Sequence, residues 1–231
     1  MRAPRVTALF VHPIKSAAAI PVDALALDDR GAVGDRRWLV IDDDGVQITA
    51  RETSALAMVR PYFANAAVAP DHRTNTDGPL LLDAPGLSRF SLRLPATAAT
   101  RAVRVWADTV DAHDAGDAVA AWMSEAIRRR CRVVRLAEHA RRPLAPKYAG
   151  TLPNEGRRVA FSDGAPLLIL SQASVDALSA RLVEQGATRP PFHVFAPIFC
   201  CRPRRRTKRT RGRAFALATW TSPSARRASG V

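Results

Sequence analysis

Three short polar clusters interrupt the apolar runs of this 231-residue chain. Residues 12–16 (HPIKS) follow a short apolar run and offer the ammonium of Lys15 and the hydroxyl of Ser16. Residues 35–38 (DRRW) offer an acid, two guanidiniums and an indole, and residues 161–166 (FSDGAP) form a polar turn. Taken alone, each cluster is typical of charges on the rim of a barrel. Brought together at strand ends, an arginine fork, a lysine point charge and a short hydroxyl donor make a good anion site.

The elements that must position these clusters are mostly short strands. Turn signals recur at close intervals in the first hundred residues, which is typical of an antiparallel barrel or sandwich. Strands are predicted at residues 6–11, 37–41, 46–50, 79–82, 89–94 and 101–106. Residues 43–45 (DDG) predict a tight hairpin, because glycine adopts positive φ at little cost. The acidic run here lacks the carboxylate spacing of an EF-hand, so we interpret it as a turn.

One helix is predicted at residues 117–129, where apolar residues recur along one stripe. Asp114 or Asp117 is the expected N-cap. The three arginines at residues 128–130 suit the negative end of the helix dipole.

A second helix is predicted at residues 172–185, with Ser171 as N-cap and Gly186 just past its end. Its apolar face is expected to hold Val175, Leu178 and Leu182. Residues 165–170 before it read as a buried strand. Residues 143–156, rich in proline and glycine, predict an exposed loop or connector.

The positive charge is concentrated at the C-terminal end. The net charge is +14, but residues 185–231 hold 11 of the 35 basic and none of the 21 acidic residues, leaving 24 basic against 21 acidic before them. We therefore expect no nucleic-acid partner. No apolar run approaches the roughly 20 residues that span a bilayer, and no secretory signal is evident, so we expect no membrane partner and a cytoplasmic protein.

The three cysteines, Cys131, Cys200 and Cys201, show no C-x-x-C spacing. They predict neither a disulfide framework nor a zinc site, and we expect reduced thiols.

Taken together and in order, the clusters resemble the MOSC proteins with an N-terminal β-barrel domain, a group that includes the amidoxime-reducing components. The resemblance covers residues 6–184. It rests on five stretches, which are LFVHPIKS (9–16), GDRRWLVI (34–41), ITARE (48–52), GDAVAAW (116–122) and FSDGAPLLILSQASVDAL (161–178). It implies a β-rich α+β fold, with an antiparallel β-barrel N-terminal domain followed by an incomplete MOSC β-barrel and a few helices.

The resemblance also implies a molybdenum cofactor, or molybdopterin, and the residues that hold it. Lys15, Ser16 and Arg36 would hold the phosphate of the cofactor. The turn formed by Ser162, Asp163, Gly164 and Ala165 would line the pterin, largely through backbone groups. Thr49 and Arg51 are expected to be mainly structural, and Trp38, Trp106 and Trp122 to be core residues rather than cofactor stackers.

Such proteins bind the metal through a cysteine thiolate in a C-x-R-C-like segment beyond the second helix, and this chain shows no such segment. Residues 200–202 (CCR) lie too early and lack matching flanks. We therefore assign no metal ligand and no catalytic residue.

The implied function is that of a molybdopterin-binding oxidoreductase. Its relatives reduce N-hydroxylated small molecules with electrons from a flavin or iron–sulfur donor, and this chain is expected to be inactive without the cysteine segment. Two alternatives stay open: a carrier that holds the cofactor without turnover, and a sulfur-handling module. A complete sulfurase would also need a pyridoxal-phosphate domain, for which the chain has no room.

Three regions are expected: a MOSC N-terminal barrel domain at residues 1–110, a partial MOSC domain at residues 111–186, and a basic tail at residues 187–231. The acids vanish and the arginines crowd together in the tail. A segment of this kind repels itself and buries little apolar surface. We expect it to be an out-of-frame translation that does not pack, because possible codons for residues 206–212, when read two bases later, encode an acidic motif like one that the relatives carry in this region. The alternative is a genuine basic tail that binds nucleic acid or an anionic membrane.

Overall fold

The computed structural model describes residues 5–64, 78–149, 158–188 and 199–202, together with residues 156 and 197. These residues form a β-rich α+β fold of several small sheets with three helices, which confirms the expected fold class at this level. The strands are β1 (Arg5–Val11), β2 (Ile20–Val22), β3 (Leu27–Asp28), β4 (Gly31–Ala32), β5 (Trp38–Ile41), β6 (Arg60–Phe63), β7 (Leu80–Asp83), β8 (Phe90–Leu92), β9 (Thr100–Val105), β10 (Asp108–Asp114), β11 (Arg132–Leu136), β12 (Ile169–Ser171) and β13 (Phe199–Arg202). The helices are α1 (Asp117–Ile127), α2 (Pro146–Ala149) and α3 (Gln172–Glu184), and a 3₁₀ helix occupies Ser54–Met58.

The strands are arranged mainly in antiparallel pairs. One sheet has the order β5-β11-β10-β9 and another the order β12-β13-β1-β2, in which only the β12–β13 pair is parallel. A three-stranded meander, β6-β7-β8, and the small β3-β4 pair complete the described sheets. The sheets therefore bring the first fifty residues against segments more than a hundred residues away.

The sheet β5-β11-β10-β9 is covered on both faces. Val40 and Val133 belong to one core cluster, together with α1 and the β6-β7-β8 meander. Leu39 and Val134 belong to a second cluster, which also contains Phe161. Because successive side chains of a strand point to opposite faces, a continuous apolar strand supplies both cores. This two-sided burial fixes the strand ends that carry the polar clusters.

Most predicted strands are confirmed within one or two residues. The exception is residues 46–50, which form only isolated bridges, Ile41 to Gln47 and Val46 to Arg104, instead of a strand. The turn at residues 43–45 is confirmed, with φ of +75° at Gly45 and the Asp42 amide bonded to the Val46 carbonyl at 2.9 Å. The predicted buried strand at residues 165–170 is also wrong, since β12 begins at Ile169, which is 40% exposed.

Both long helices are confirmed, but their caps differ from the prediction. The N-cap of α1 is Gly116 with no side-chain cap, and the Asp114 carboxylate accepts a hydrogen bond from the Gly116 amide at 2.9 Å. Ser171 is the N-cap of α3 by position, although its side chain makes no capping bond.

The C-terminus of α3 follows the prediction closely. Gly186 lies just past the helix with φ of +79°. Its amide bonds to Val183 and the Ala187 amide bonds to Leu182, both at 2.9 Å. This is the Schellman arrangement that glycine favours. The predicted apolar face is wrong in part, because Val175 is buried but Leu178 is 40% exposed.

The described part of the basic tail departs from the expectation that residues 187–231 do not pack. Strand β13 lies between β1 and β12, with Cys200 opposite Ala8 in an antiparallel pairing. These four residues complete backbone hydrogen bonding of β1, which an unpaired edge would leave to solvent. Residues 203–231 lie outside the described residues, as do most of residues 187–198.

The expected boundary between residues 110 and 111 falls inside β10 (Asp108–Asp114), whose partners β9 and β11 lie on its two sides in the sequence. The predicted loop at residues 143–156 contains α2.

Among the described helices, none combines the length and apolarity needed to cross a membrane.

Candidate functional site

The backbone of Arg36 joins all three polar clusters. The Arg36 amide donates to the His12 carbonyl at 2.7 Å, and the Arg36 carbonyl accepts from the Phe161 amide at 3.0 Å. A second backbone hydrogen bond joins the first two clusters, since the Lys15 amide donates to the Trp38 carbonyl at 3.0 Å. The clusters at residues 12–16, 35–38 and 161–166 therefore meet where β1 ends and β5 begins.

The Lys15 side chain is buried at the centre of this site. Only 5% of the residue is exposed, and its ammonium donates to the Phe161 carbonyl at 2.8 Å and to the Asp163 carboxylate. Burial lowers the pKa of Lys15 below its ordinary value, Asp163 opposes this shift, and the nearby Arg142 and Arg36 add to it. The backbone links and these electrostatic effects place Lys15 and Arg36 near each other. That they and Ser16 bind one anion stays a prediction.

The Asp163 carboxylate is the point where the side chains converge. Besides Lys15, it accepts a hydrogen bond from the Trp106 indole at 3.1 Å and lies 4.0 Å from the Arg51 guanidinium. Partial burial alone would raise the pKa of Asp163, but the charge and hydrogen bond of Lys15, with Trp106 and Arg51, hold it below the ordinary range. The Asp163 side chain is 60% exposed, so the site opens to solvent on this side.

The Trp106 ring covers the outer edge of the site. Lys15 Nζ lies 5.7 Å and Arg51 Cζ 5.5 Å from its centroid, both within cation–π range. Trp106 is 44% exposed and has φ of +57° in the turn between β9 and β10. The prediction that Trp106 is a core residue is therefore wrong, whereas Trp38, only 9% exposed, is confirmed as core. Trp122 packs partly buried against the first core cluster.

Arg142 holds the polar turn in place through hydrogen bonds of its side chain. Its buried guanidinium donates to the carbonyls of Ala160 at 2.9 Å and of Ser162, and its Nε donates to the Asp108 carboxylate at 2.7 Å. A guanidinium offers several donors in a fixed plane, so one side chain can fix two carbonyls that are two residues apart. Arg142 therefore sets the conformation of the turn opposite Lys15.

The turn itself contains a buried hydroxyl without a partner. Ser162 is 4% exposed, and its Oγ has no hydrogen-bond partner within the described residues. A buried hydroxyl without a partner costs free energy, so such a group calls for an explanation. Gly164 packs so closely on the ring of Tyr148 that an added Cβ atom would overlap it, and Ala165 is exposed.

Arg36 and Ser16 adopt backbone conformations that are uncommon outside glycine. Their φ angles are +46° and +69°, and non-glycine residues with such angles concentrate at functional sites. The Arg36 Nη1 donates to the Asp35 carboxylate at 2.5 Å, and Asp35 also accepts from the His12 amide at 2.7 Å. Burial raises the pKa of Asp35, against the opposing effect of Arg36 and the His12 amide.

Several contributors to this site were not predicted as such. Arg51 was expected to be mainly structural, yet it contacts Trp106 and faces Asp163. Thr49, in contrast, is buried and donates to Glu52 at 3.2 Å, as a structural residue would. Arg142 gave no signal in the sequence beyond an arginine pair before a proline. These roles depend on contacts between distant segments.

The described residues contain no group of three or more His, Cys, Asp or Glu side chains placed to hold a metal ion. Cys131 is buried, its Sγ lies 3.5 Å from Ser124 Oγ, and burial raises the pKa of its thiol. Three cations, Lys15, Arg36 and Arg51, meet two carboxylates here, with Asp35 paired to Arg36 and Asp163 facing Lys15 and Arg51.

Comparisons with known proteins identify the family. A family model of the MOSC N-terminal beta barrel domain matches residues 3–130. Mitochondrial amidoxime-reducing component 1 of Homo sapiens is 30% identical over 185 residues, covering 78% of this chain and 52% of that protein. The protein of the same name from Xenopus laevis is 27% identical over 188 residues, covering 78% and 51%.

Molybdenum cofactor sulfurase of Homo sapiens is 25% identical over 181 residues, covering 77% of this chain and 19% of that protein. The chain spans about half the length of the amidoxime-reducing components that it matches. It belongs to the family of proteins with a MOSC N-terminal beta barrel domain and is a distant homologue of the amidoxime-reducing components and of molybdenum cofactor sulfurase.

Proposed function

We propose that this chain binds a molybdopterin-type molybdenum cofactor through the site built around Lys15. Lys15, Ser16 and Arg36 would bind the phosphate, and the turn from Ser162 to Ala165 would line the pterin. The observation that carries the proposal is the buried Ser162 hydroxyl, which lacks a partner in the same turn whose carbonyl and carboxylate bind Lys15. A polar ligand would supply the missing hydrogen bond and the negative charge that the cations favour.

When bound, the cofactor would supply oxygen-atom transfer at molybdenum, and a flavin or iron–sulfur protein would be the electron donor for small N-hydroxylated substrates. The chain's own residues hold and orient the anion. The Lys15 ammonium keeps its position because it donates a hydrogen bond to the Phe161 carbonyl, and Arg36 keeps its position through its ion pair with Asp35. We also propose that the sheets close into the barrel that the family name implies. The chain would divide into its three regions near residues 110 and 186.

A second candidate is a module that holds the cofactor without turnover. It is favoured by the buried position of Cys131, which is the only cysteine whose side chain the structure describes. A thiolate ligand must be deprotonated and reach the metal, and burial of Cys131 works against both. Sulfur handling stays a third candidate because of the likeness to molybdenum cofactor sulfurase.

The experiment that tests the proposal measures bound pterin rather than activity. The 231-residue protein would be produced in a host that makes molybdopterin, and the pterin released by denaturation would be measured by fluorescence after oxidation. We expect bound pterin in the unaltered protein and at least a tenfold loss in Lys15→Met and Arg36→Gln. Arg104→Gln, an exposed arginine on β9, is the matched control. Absence of pterin from the unaltered protein, or equal loss in the control, would refute the proposal.

A further inference from the structure

A second cleft opens beside the candidate cofactor site. Its cavity volume is about 360 Å³, within the size range of small-molecule sites. The walls come from β5, β8, β11 and the segment that leads into β7, and they include neither Lys15 nor Asp163. Arg36 and Arg37 are neighbours in the sequence but take part in different sites. Arg36 pairs with Asp35 near Lys15, whereas Arg37 lines this cleft.

The cleft carries more positive than negative charge. Its lining contains four arginines and two acids, which are Arg30, Arg37, Arg93, Arg135, Asp28 and Glu138. Arg37 forms an ion pair with Asp28, in which its Nη2 lies 2.8 and 2.6 Å from the two carboxylate oxygens. The Nη2 atom of Arg30 donates hydrogen bonds to the main-chain carbonyls of Glu138 and Ala140.

Arg93 and Arg135 remain without an ion pair among the residues that the structure describes. Arg135 Cζ instead lies 5.8 Å from the centroid of the Trp38 ring, and this contact orients the guanidinium without neutralising it. Burial, with repulsion by Arg37 and Arg158, lowers the pKa of the Arg30 guanidinium against the opposing effect of Asp29 and Asp28. An anion in the cleft would offset this repulsion.

The floor of the cleft is apolar. Leu80, Leu92 and Trp38 are buried beneath it, and the half-buried Val33, Phe63 and Leu94 supply the accessible apolar surface. A simple inorganic anion would leave this surface in contact with water. A ligand with an apolar body would bury it, which is favourable in proportion to the area covered.

We propose that this cleft is a second ligand site, specific for a small organic anion with a carboxylate or phosphate head and an apolar body. Arg30, Arg93 and Arg135 form no ion pair among the described residues, and Arg30 already donates to main-chain carbonyls. Arg93 and Arg135 therefore provide the charge for the head. The apolar body lies against Val33, Phe63 and Leu94, above the buried Leu80 and Leu92. The inference does not depend on cofactor binding at Lys15.

Titration calorimetry at low ionic strength tests the inference, with phenyl phosphate and benzoate as probes. Inorganic phosphate and benzyl alcohol serve as the head and the body alone. We expect one of the two aromatic anions to bind at least tenfold more tightly than either part. Arg93→Gln and Arg93→Gln/Arg135→Gln should weaken that binding about tenfold or more, as expected for loss of a charge-assisted hydrogen bond. Arg104→Gln should leave it unchanged.

Lys15→Met separates the two sites. If it leaves the affinity for the aromatic anion unchanged while Arg93→Gln reduces it, the second site is supported whatever becomes of the cofactor. If Lys15→Met removes the binding and the arginine variants keep it, the anion binds at the candidate cofactor site and the inference is wrong. Failure of both aromatic anions to bind, or binding no tighter than that of inorganic phosphate, would also overturn it. Because Arg93 is exposed, Arg93→Gln provides a test that does not disturb the core.

Discussion

The ammonium of Lys15 and the carboxylate of Asp163 form an ion pair although 148 positions separate them in the sequence. The pair is asymmetric, because the Lys15 side chain is 6% exposed and the Asp163 side chain 60%. The buried charge belongs to the residue that would hold an anion, and its partner reaches out to solvent. A bound phosphate would compete with Asp163 for the same ammonium.

Replacing Lys15 with methionine should leave the protein folded and about as stable. Burial lowers the pKa of Lys15, so keeping the ammonium charged at neutral pH costs free energy that methionine does not incur. The loss of two hydrogen bonds offsets this gain, and we expect a change within about 1 kcal/mol. Urea denaturation at pH 7 measures it. A loss of several kcal/mol would show that Lys15 is primarily structural.

The pH dependence of Lys15→Met has a defined sign. The folded-state pKa of Lys15 lies below its ordinary value of 10.5, so the unfolded chain binds more protons between those two values. The unaltered protein should therefore gain stability as the pH rises through that window, and Lys15→Met should lack this gain.

Asp163→Asn should change the acid dependence of stability. The pKa of Asp163 is lowered in the folded protein, so its contribution is present above the ordinary pKa of about 3.9 and is lost as the pH falls through the lower folded-state pKa. The difference in unfolding free energy between the unaltered protein and Asp163→Asn should be constant near neutral pH and shrink below about pH 4. A difference that grows on acidification would contradict the ion pair.

Ser162→Ala should stabilise the free protein slightly and weaken cofactor binding. The buried Oγ has no partner in the described structure, so its removal should raise the unfolding free energy by about 1 kcal/mol. Thermal denaturation and the pterin measurement together test this opposition. A fall in stability would show that the hydroxyl has a structural partner, and unchanged bound pterin would refute its role in the site.

Arg142→Met should destabilise the protein by about 2–4 kcal/mol, because it leaves buried carbonyls of the turn without a donor and removes the partner of Asp108. Arg104→Met, on the exposed face of β9, is the control and should change stability by less than about 0.5 kcal/mol. Equal effects of the two variants in urea denaturation would exclude the proposed role of Arg142.

The protein purified from a host that makes the cofactor should hold little molybdenum. A metal bound without a protein thiolate would be poorly held, and the Cys131 thiol is buried with a raised pKa. Elemental analysis gives the ratio of molybdenum to protein. A ratio close to one would mean that another residue of this chain provides the ligand.

Local sequence patterns determined the elements and the identity of the three polar clusters. The run of residues 37–41 predicts a strand, and glycine at positions 45 and 186 predicts the turn and the helix end. Lys15 and Arg36 also stood out, because charged residues interrupt apolar strand ends. In each case the signal depends on residues within a few positions of one another.

Only the tertiary structure decided which distant residues complete the site. Asp163 meets Trp106 across 57 positions, and Arg142 reaches the Ser162 carbonyl across 20. Such contacts depend on how the sheets pair. Local sequence periodicity therefore shows neither the exposed position of Trp106 nor the hydrogen bonds of Arg142. The same holds for strand β13. Composition predicts that the tail does not pack, but β13 lies beside β1 because it pairs with backbone N–H and C=O groups of that strand.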